Sequence, residues 1–227
     1  MRLNRLFVAG AILMGACTAK EAKPPADSAA TTAAESDPDR NVAGGALPQG
    51  YSARTDRADK PISGAKYVVS GNEWDITTGP AHIIYSPTTM GNGNYTVSAS
   101  FDQLEAPAHP EAYGIFIGGQ NLDGDAQKYT YFLVRGTGDV AIKVRDGSSA
   151  RDVIKWTPSA DVPKADGSGK AHYDLSVQVT NDAVKFMVNG KQAASVSKSG
   201  LPVDGIAGLR VNHNLHVKAS PVTVSQP

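Results

Sequence analysis

Cysteine occurs only once in the 227 residues, at Cys17. That excludes an intramolecular disulfide and leaves any exported domain to stand on its core alone. Long apolar runs are also missing: the stretch Leu6–Ala16, "LFVAGAILMGA", is shorter than the roughly 20 residues a membrane-spanning helix needs. Charge of one sign is not in excess, with 22 Lys and Arg against 22 Asp and Glu, and no basic run occurs. Nucleic-acid binding therefore has no electrostatic footprint. Aromatic residues make up 7% of the chain and none falls between Phe7 and Tyr51, so that stretch has little with which to build a core. From Lys66 onward no ten-residue stretch has helical periodicity, which excludes a helical bundle.

What is present begins with Arg2 and Arg5 ahead of the apolar run, the layout of a secretory signal. The run ends in Met14-Gly15-Ala16-Cys17, which resembles a bacterial lipobox, with small residues at the two positions before the cysteine. The resemblance implies cleavage before Cys17 and its acylation, enough for firm membrane anchoring. A plain secretory signal with a coincidental cysteine is the alternative. Thr18 stands where an Asp would suggest inner-membrane retention, so the expectation is a cell-envelope protein lipid-anchored in the outer membrane. Cleavage would remove Arg2 and Arg5, leaving 20 basic against 22 acidic residues and a net charge of −2. Residues 18–50, rich in Ala, Pro, Ser and Thr, are expected to form a disordered tether, because they bury too little apolar surface to offset the entropy of ordering. Residues 51–227 suit one domain with a substantial core.

That domain reads as a chain of short strands with period two. In "NYTVSASFDQL", Tyr95, Val97, Ala99 and Phe101 alternate with Thr96, Ser98 and Ser100. In "DAVKFMVNGKQAASV", Val184, Phe186 and Val188 point one way, Asn189-Gly190 supplies a two-residue turn, and Ala193 to Val196 returns. Roughly a dozen such strands joined by turns predict an all-β fold, a two-sheet antiparallel jelly-roll sandwich. The order "EWDITTG", "NYTVSASF", "AYGIFIGG", then the "NG" hairpin closed by "GIAGLRV", resembles the concanavalin A-like lectin/glucanase superfamily over about residues 67 to 225. That superfamily includes laminin G-like modules and a 3-keto-disaccharide hydrolase-like branch. The resemblance implies the sandwich fold, a ligand surface on the concave sheet and its edge loops, and either sugar binding or glycoside-directed catalysis.

The stretch "EWDITT" also resembles the Glu-x-Asp-x-x-Glu strand of family-16 glycoside hydrolases, with Thr78 where the last carboxylate would be. A hydroxyl cannot act as the general acid such a site needs. The expectation is an ordinary strand, with Trp74 and Ile76 toward the core and Glu73 and Asp75 toward water.

Asn121-Leu122-Asp123-Gly124-Asp125 offers alternating oxygens, and Asp123 with Asp125 form a candidate calcium site, calcium being the only cofactor suggested. An EF-hand is excluded because Phe132 stands at the twelfth position. The competing reading is a plain Asp-Gly hairpin turn. His213 and His216 have a spacing that suits a helical metal pair, but on extended chain they would face opposite ways. His82, His109 and His172 stand alone, in surface or strand-end roles. No Gly-x-Ser-x-Gly elbow or phosphate loop occurs.

The remaining candidate is a sugar platform. "QKYTYFLVRG" puts Tyr129, Tyr131, Leu133 and Arg135 on one strand face, and "GLRVNHN" turns Arg210 and Asn212 outward. If the two strands share a sheet, Tyr131, Arg135, Arg210 and Asn212 would line one groove with Gln120 and Trp156 from flanking segments. The function expected first is a membrane-tethered, non-catalytic lipoprotein that binds a carbohydrate or envelope polymer. A periplasmic enzyme of the 3-keto-disaccharide hydrolase-like type and a structural lipoprotein with protein partners remain as alternatives. No catalytic residue is assigned.

Overall fold

The computed structural model describes residues 37–227; Cys17, the signal sequence and residues 18–36 of the expected tether lie outside the described residues. Among the described residues, fifteen strands follow one another. β1 (Ser52–Thr55) leads through a 3-10 turn at Ile62–Gly64 to β2 (Ala65–Ser70), β3 (Glu73–Thr78) and β4 (His82–Gly91). The middle of the chain forms β5 (Tyr95–Gln103), β6 (Ala112–Gln120), β7 (Lys128–Arg135), β8 (Asp139–Asp146) and β9 (Ser149–Pro158). Then come β10 (Ala171–Val179), β11 (Ala183–Val188), β12 (Lys191–Ser197), β13 (Gly205–Val211), β14 (His216–Ala219) and β15 (Thr223–Ser225).

The strands pair antiparallel into a seven-stranded sheet, β1-β4-β13-β6-β7-β8-β9, and an eight-stranded one, β12-β11-β10-β5-β14-β3-β2, in which β15 also pairs with β5. The late strands β13 and β14 insert between early ones, the chain crossing from sheet to sheet, so the fold is the jelly-roll sandwich expected. The "DAVKFMVNGKQAASV" segment is the β11–β12 hairpin, and Asn189 (φ 50°) and Gly190 (φ 77°) both take the left-handed conformation its two-residue turn requires. "LHVKASPVTVS", which alternates like one strand, divides into β14 and β15 around Pro221, whose nitrogen has no hydrogen to give a ladder.

Between the sheets lies the main core. β5 buries Tyr95, Val97, Ala99 and Phe101 and leaves the alternate residues half-exposed, as its period-two pattern dictates. Rings meet across the gap: Phe101 of one sheet against Tyr113 of the other at 5.1 Å, and Phe132 against Phe186 at 5.7 Å. Each such pair adds about 1 kcal/mol beyond its buried area, useful to a domain without a disulfide. Trp74 and Ile76 are buried in this core and Glu73 is exposed, as β3 was expected to be arranged.

Two findings depart from simple alternation. β6 and β7 are buried on both faces, because a second cluster of Ile83, Tyr85, Phe116, Leu122, Tyr129, Tyr131 and Leu133 covers the outward face of the seven-stranded sheet. Residues before 51 also make contacts with the sandwich. Arg40 donates its backbone N–H to Asn214 Oδ1 at 2.6 Å and its guanidinium to the Asn214 carbonyl at 3.0 Å, while Gly45 donates to the Ala65 carbonyl at 3.4 Å. Asn214, at φ 56°, is the receptor that composition could not reveal.

Candidate functional site

The outward face of the seven-stranded sheet is built by register. Tyr85 and Phe116 flank Gly208, Phe116 lies opposite Tyr131, Tyr131 opposite Lys143, and Lys143 opposite Asp152, so one row crosses six strands from β4 to β9. In the next row Ile83, Arg210, Gly114 and Leu133 stand side by side. Gly208 makes room for the Phe116 ring, since a Cβ there would lie 2.5 Å from a ring carbon.

Over this face lies a connected set of charges. Arg210, 5% exposed, grips Asp56 with both terminal nitrogens at 2.5 Å, and Arg145, 8% exposed, donates to the Asp56 carbonyl at 3.1 Å. Arg210 Nε donates to Asn212 Oδ1 at 3.3 Å, Asn212 Nδ2 to Glu111 Oε2 at 3.0 Å, and Glu111 Oε1 meets His213 Nε2 at 2.9 Å. The Arg210 guanidinium also stands 5.6 Å from the Tyr131 ring centre. To one side, Arg135 lies 3.5 Å above the centre of the half-exposed Trp156 ring, and Lys143 pairs with Asp152 at 2.9 Å.

Burial opposes the charge on Asp56, but the Arg210 and Arg145 guanidinium groups outweigh it and hold the carboxyl below its ordinary value. Burial likewise opposes the charge on Arg210, and Asp56 outweighs it in turn, so the pair is fully ionised at neutral pH. Burial raises the pKa of Tyr131 and pushes Tyr129 up to about 12, so both keep their hydroxyl protons. The face is therefore equipped with fixed donors and flat rings, suited to hydroxyl-rich or carboxylate-bearing ligands.

Of the six residues expected to line a groove, five share this face: Tyr131, Arg135, Trp156, Arg210 and Asn212. Gln120 does not. It sits opposite Lys128 at the other end of the β6–β7 pair from Arg135, about 23 Å along the strand, and donates to the Asp204 carbonyl at 3.3 Å. Tyr131 is also less accessible than expected, 6% exposed, because the face is roofed by the segment after β1 and by the β6–β7 loop. The open part is the β7–β9 side, where Arg135, Lys143 and Trp156 are half-exposed.

Sequence reasoning missed Asp56, Glu111, Lys143 and Arg145. The last two were detectable, since they alternate with Ile142 and Val144 in "AIKVRD". Asp56 and Glu111 lie in connections, where no periodicity marks them.

In the loop after β6 the two candidate calcium carboxylates each meet a protein partner. Asp123 accepts from the Tyr85 hydroxyl at 2.5 Å, while the fully exposed Asp125 pairs with Arg54 at 3.3 Å. Among the described residues, neither belongs to a group of three His, Cys, Asp or Glu ligands; such a group is formed instead by Asp37, Glu111 and His213. His213 and His216 do not converge: His213 lies in the turn after β13, whereas His216 opens β14 and pairs with Asp75 at 2.9 Å. Thr78 is fully buried, donating its hydroxyl to the Asn212 carbonyl and accepting from Leu215 N–H, so it latches the loop that carries His213. His82 has the strand-end place of the two expected for it, as the first residue of β4, and is fully buried there, between the Pro80 carbonyl at 2.8 Å and the Tyr67 hydroxyl.

No protein-family profile and no curated protein sequence matches this chain. Solved structures do. The carbohydrate binding module CBM66 from Bacillus subtilis superposes with a TM-score of 0.58 at 14% identity, over 83% of this chain and 100% of that one. The metal-free carbohydrate recognition domain of Emp46p superposes with a TM-score of 0.50 at 10% identity, over 77% of this chain and 87% of that one. At these identities the likeness establishes the fold alone, a two-sheet jelly-roll sandwich.

Proposed function

We propose that this protein is a membrane-tethered carbohydrate-binding lipoprotein, anchored through Cys17 in the outer membrane, and that its ligand lies across the open side of the seven-stranded sheet. One observation carries the reading. The half-exposed Trp156 ring, with Arg135 stacked 3.5 Å from its centre, adjoins a row of immobilised donors on a face the main core does not need. A ring presents a flat apolar surface to a sugar, and Arg135, Lys143 and Asp152 at its margin can fork hydroxyls. Two solved structures of this fold are named for carbohydrate binding, which agrees with the reading.

The test is a glycan array and a thermal-shift screen of the protein. A saturable ligand should raise the melting temperature. Trp156→Ala should weaken that ligand at least about tenfold, as expected for loss of a central aromatic contact. Silence across neutral and acidic sugars would sink the proposal.

A second reading, an enzyme acting on glycosides, has one observation in its favour. A cavity of about 310 Å³ beside the same face is lined by Asp37, Asp39, Asp56 and His213, the acid–base groups such chemistry uses. Turnover of an oxidised disaccharide that Asp39→Asn abolishes would favour it over simple binding.

A further inference from the structure

We infer that Asp37, Glu111 and His213 form a binding site for a divalent cation of the zinc class, which closes the chain's Asp37–Arg40 segment onto the loop after β13. The inference stands apart from the sugar-binding reading.

Each of the three residues offers one atom, and all three atoms lie within 4.8 Å of one another. His213 Nε2 is 2.9 Å from Glu111 Oε1 and 3.7 Å from Asp37 Oδ2. Ligands at zinc's bond lengths of about 2.0–2.2 Å, arranged tetrahedrally, stand about 3.3 Å apart, between those two spacings. Calcium asks for six to eight oxygens, whereas this set is small and contains a nitrogen.

The atoms not aimed at the centre are all held from outside it. Glu111 Oε2 accepts from Asn212 Nδ2 at 3.0 Å, Asp37 Oδ1 accepts from Asn214 Nδ2 at 3.1 Å, and His213 Nδ1 faces Asp39 Oδ1 at 3.3 Å. Partners of this kind orient metal ligands, and a carboxylate behind an imidazole sets the tautomer that leaves Nε2 free to bind.

Two further features favour a cation at this place. Asp37 Oδ2 is a buried carboxylate oxygen with no hydrogen-bond partner among the described residues. Such an atom is costly unless something positive meets it. The set also opens on the cavity lined by Asp37, Asp39, Asp56 and His213, which supplies a path for the ion and space for a fourth ligand such as water. Ion pairing of a protonated His213 with its carboxylates is the competing account, and it requires no metal.

The experiment uses the full chain, stripped with a chelator and titrated with Zn²⁺, with Co²⁺ as a spectroscopic probe and Ca²⁺ as the competitor. One Zn²⁺ per chain is expected, with the intense visible absorption of four-coordinate cobalt and no displacement by millimolar Ca²⁺. Asp37→Asn, which keeps an oxygen for Asn214, and His213→Ala should each weaken Zn²⁺ about 100-fold. Asp39→Asn, which removes the carboxylate behind the imidazole's Nδ1, should weaken it about tenfold. Zn²⁺ should raise the melting temperature of the native protein and leave that of Asp37→Asn unchanged. If His213→Ala does not fold, Asp37→Asn alone decides. Absence of saturable Zn²⁺ binding overturns the inference, as does affinity unaltered in Asp37→Asn, or Ca²⁺ binding as tight as Zn²⁺.

Discussion

A carboxylate held between two buried guanidinium groups, as Asp56 is between Arg210 and Arg145, offsets the desolvation of both. Removing it leaves charges stranded in a nearly dry place, so Asp56→Asn is expected to cost about 3 kcal/mol in urea unfolding. Adding Arg210→Met in the same chain should return part of that loss, because the unpaired charge goes too. His82 sets a pH dependence. Burial lowers its pKa from 6.5 to about 4, against the opposing pull of the Pro80 carbonyl. Below pH 6.5 the unfolded chain therefore binds a proton that the folded chain refuses, so this contribution to stability is present above 6.5 and is lost as pH falls toward 4. The ionised Asp56, with its lowered pKa, loses stability in the same acid direction. Comparing unfolding at pH 7 and pH 4.5, wild type should lose about 2 kcal/mol more than His82→Gln. At this scale little was legible beforehand. A histidine opening "HIIYS" carries no mark of the tyrosine 15 residues earlier that covers it.

Among the elements, β7 and β13 were readable as to which side chains share a face, because alternation fixes that, but both strands are buried on both faces, so burial gave no sign of which face is inward. The Asn189-Gly190 hairpin was readable for a related reason, a local conformation that few residue pairs tolerate. The segment 37–49 was not readable, because it docks through single hydrogen bonds to a distant loop and edge strand rather than through a period of its own. Its docking predicts that a chain starting at Tyr51 is less stable than one starting at Asp37. Loss of two or three net hydrogen bonds to Asn214 should cost about 2–3 kcal/mol, read as a melting temperature lower by roughly 5–10 °C. Equal melting temperatures would show the segment to be an ornament of the sandwich.

For the whole molecule, the tethered reading turns on Cys17, and Cys17→Ser is expected to shift the protein from the detergent phase to the aqueous phase while leaving the sandwich's melting temperature unchanged. Partition unaltered by that change would leave a secreted domain without a lipid. The amino-acid sequence by itself determined the sandwich class, since period-two patterning, frequent turn residues and the lack of helical periodicity admit few other architectures. It also determined which faces Tyr131, Arg135, Arg210 and Asn212 occupy, because alternation is a local property of the chain. Tertiary structure alone decided how the sheets are ordered and which groups meet. Only the pairing of β13 with β4 and β6 sets Arg210 beside the connection carrying Asp56, 154 residues earlier. Only the closing of the chain's early segment on the loop at 212–214 gathers Asp37, Glu111 and His213. Such encounters depend on strand order and loop closure, and no local pattern encodes either.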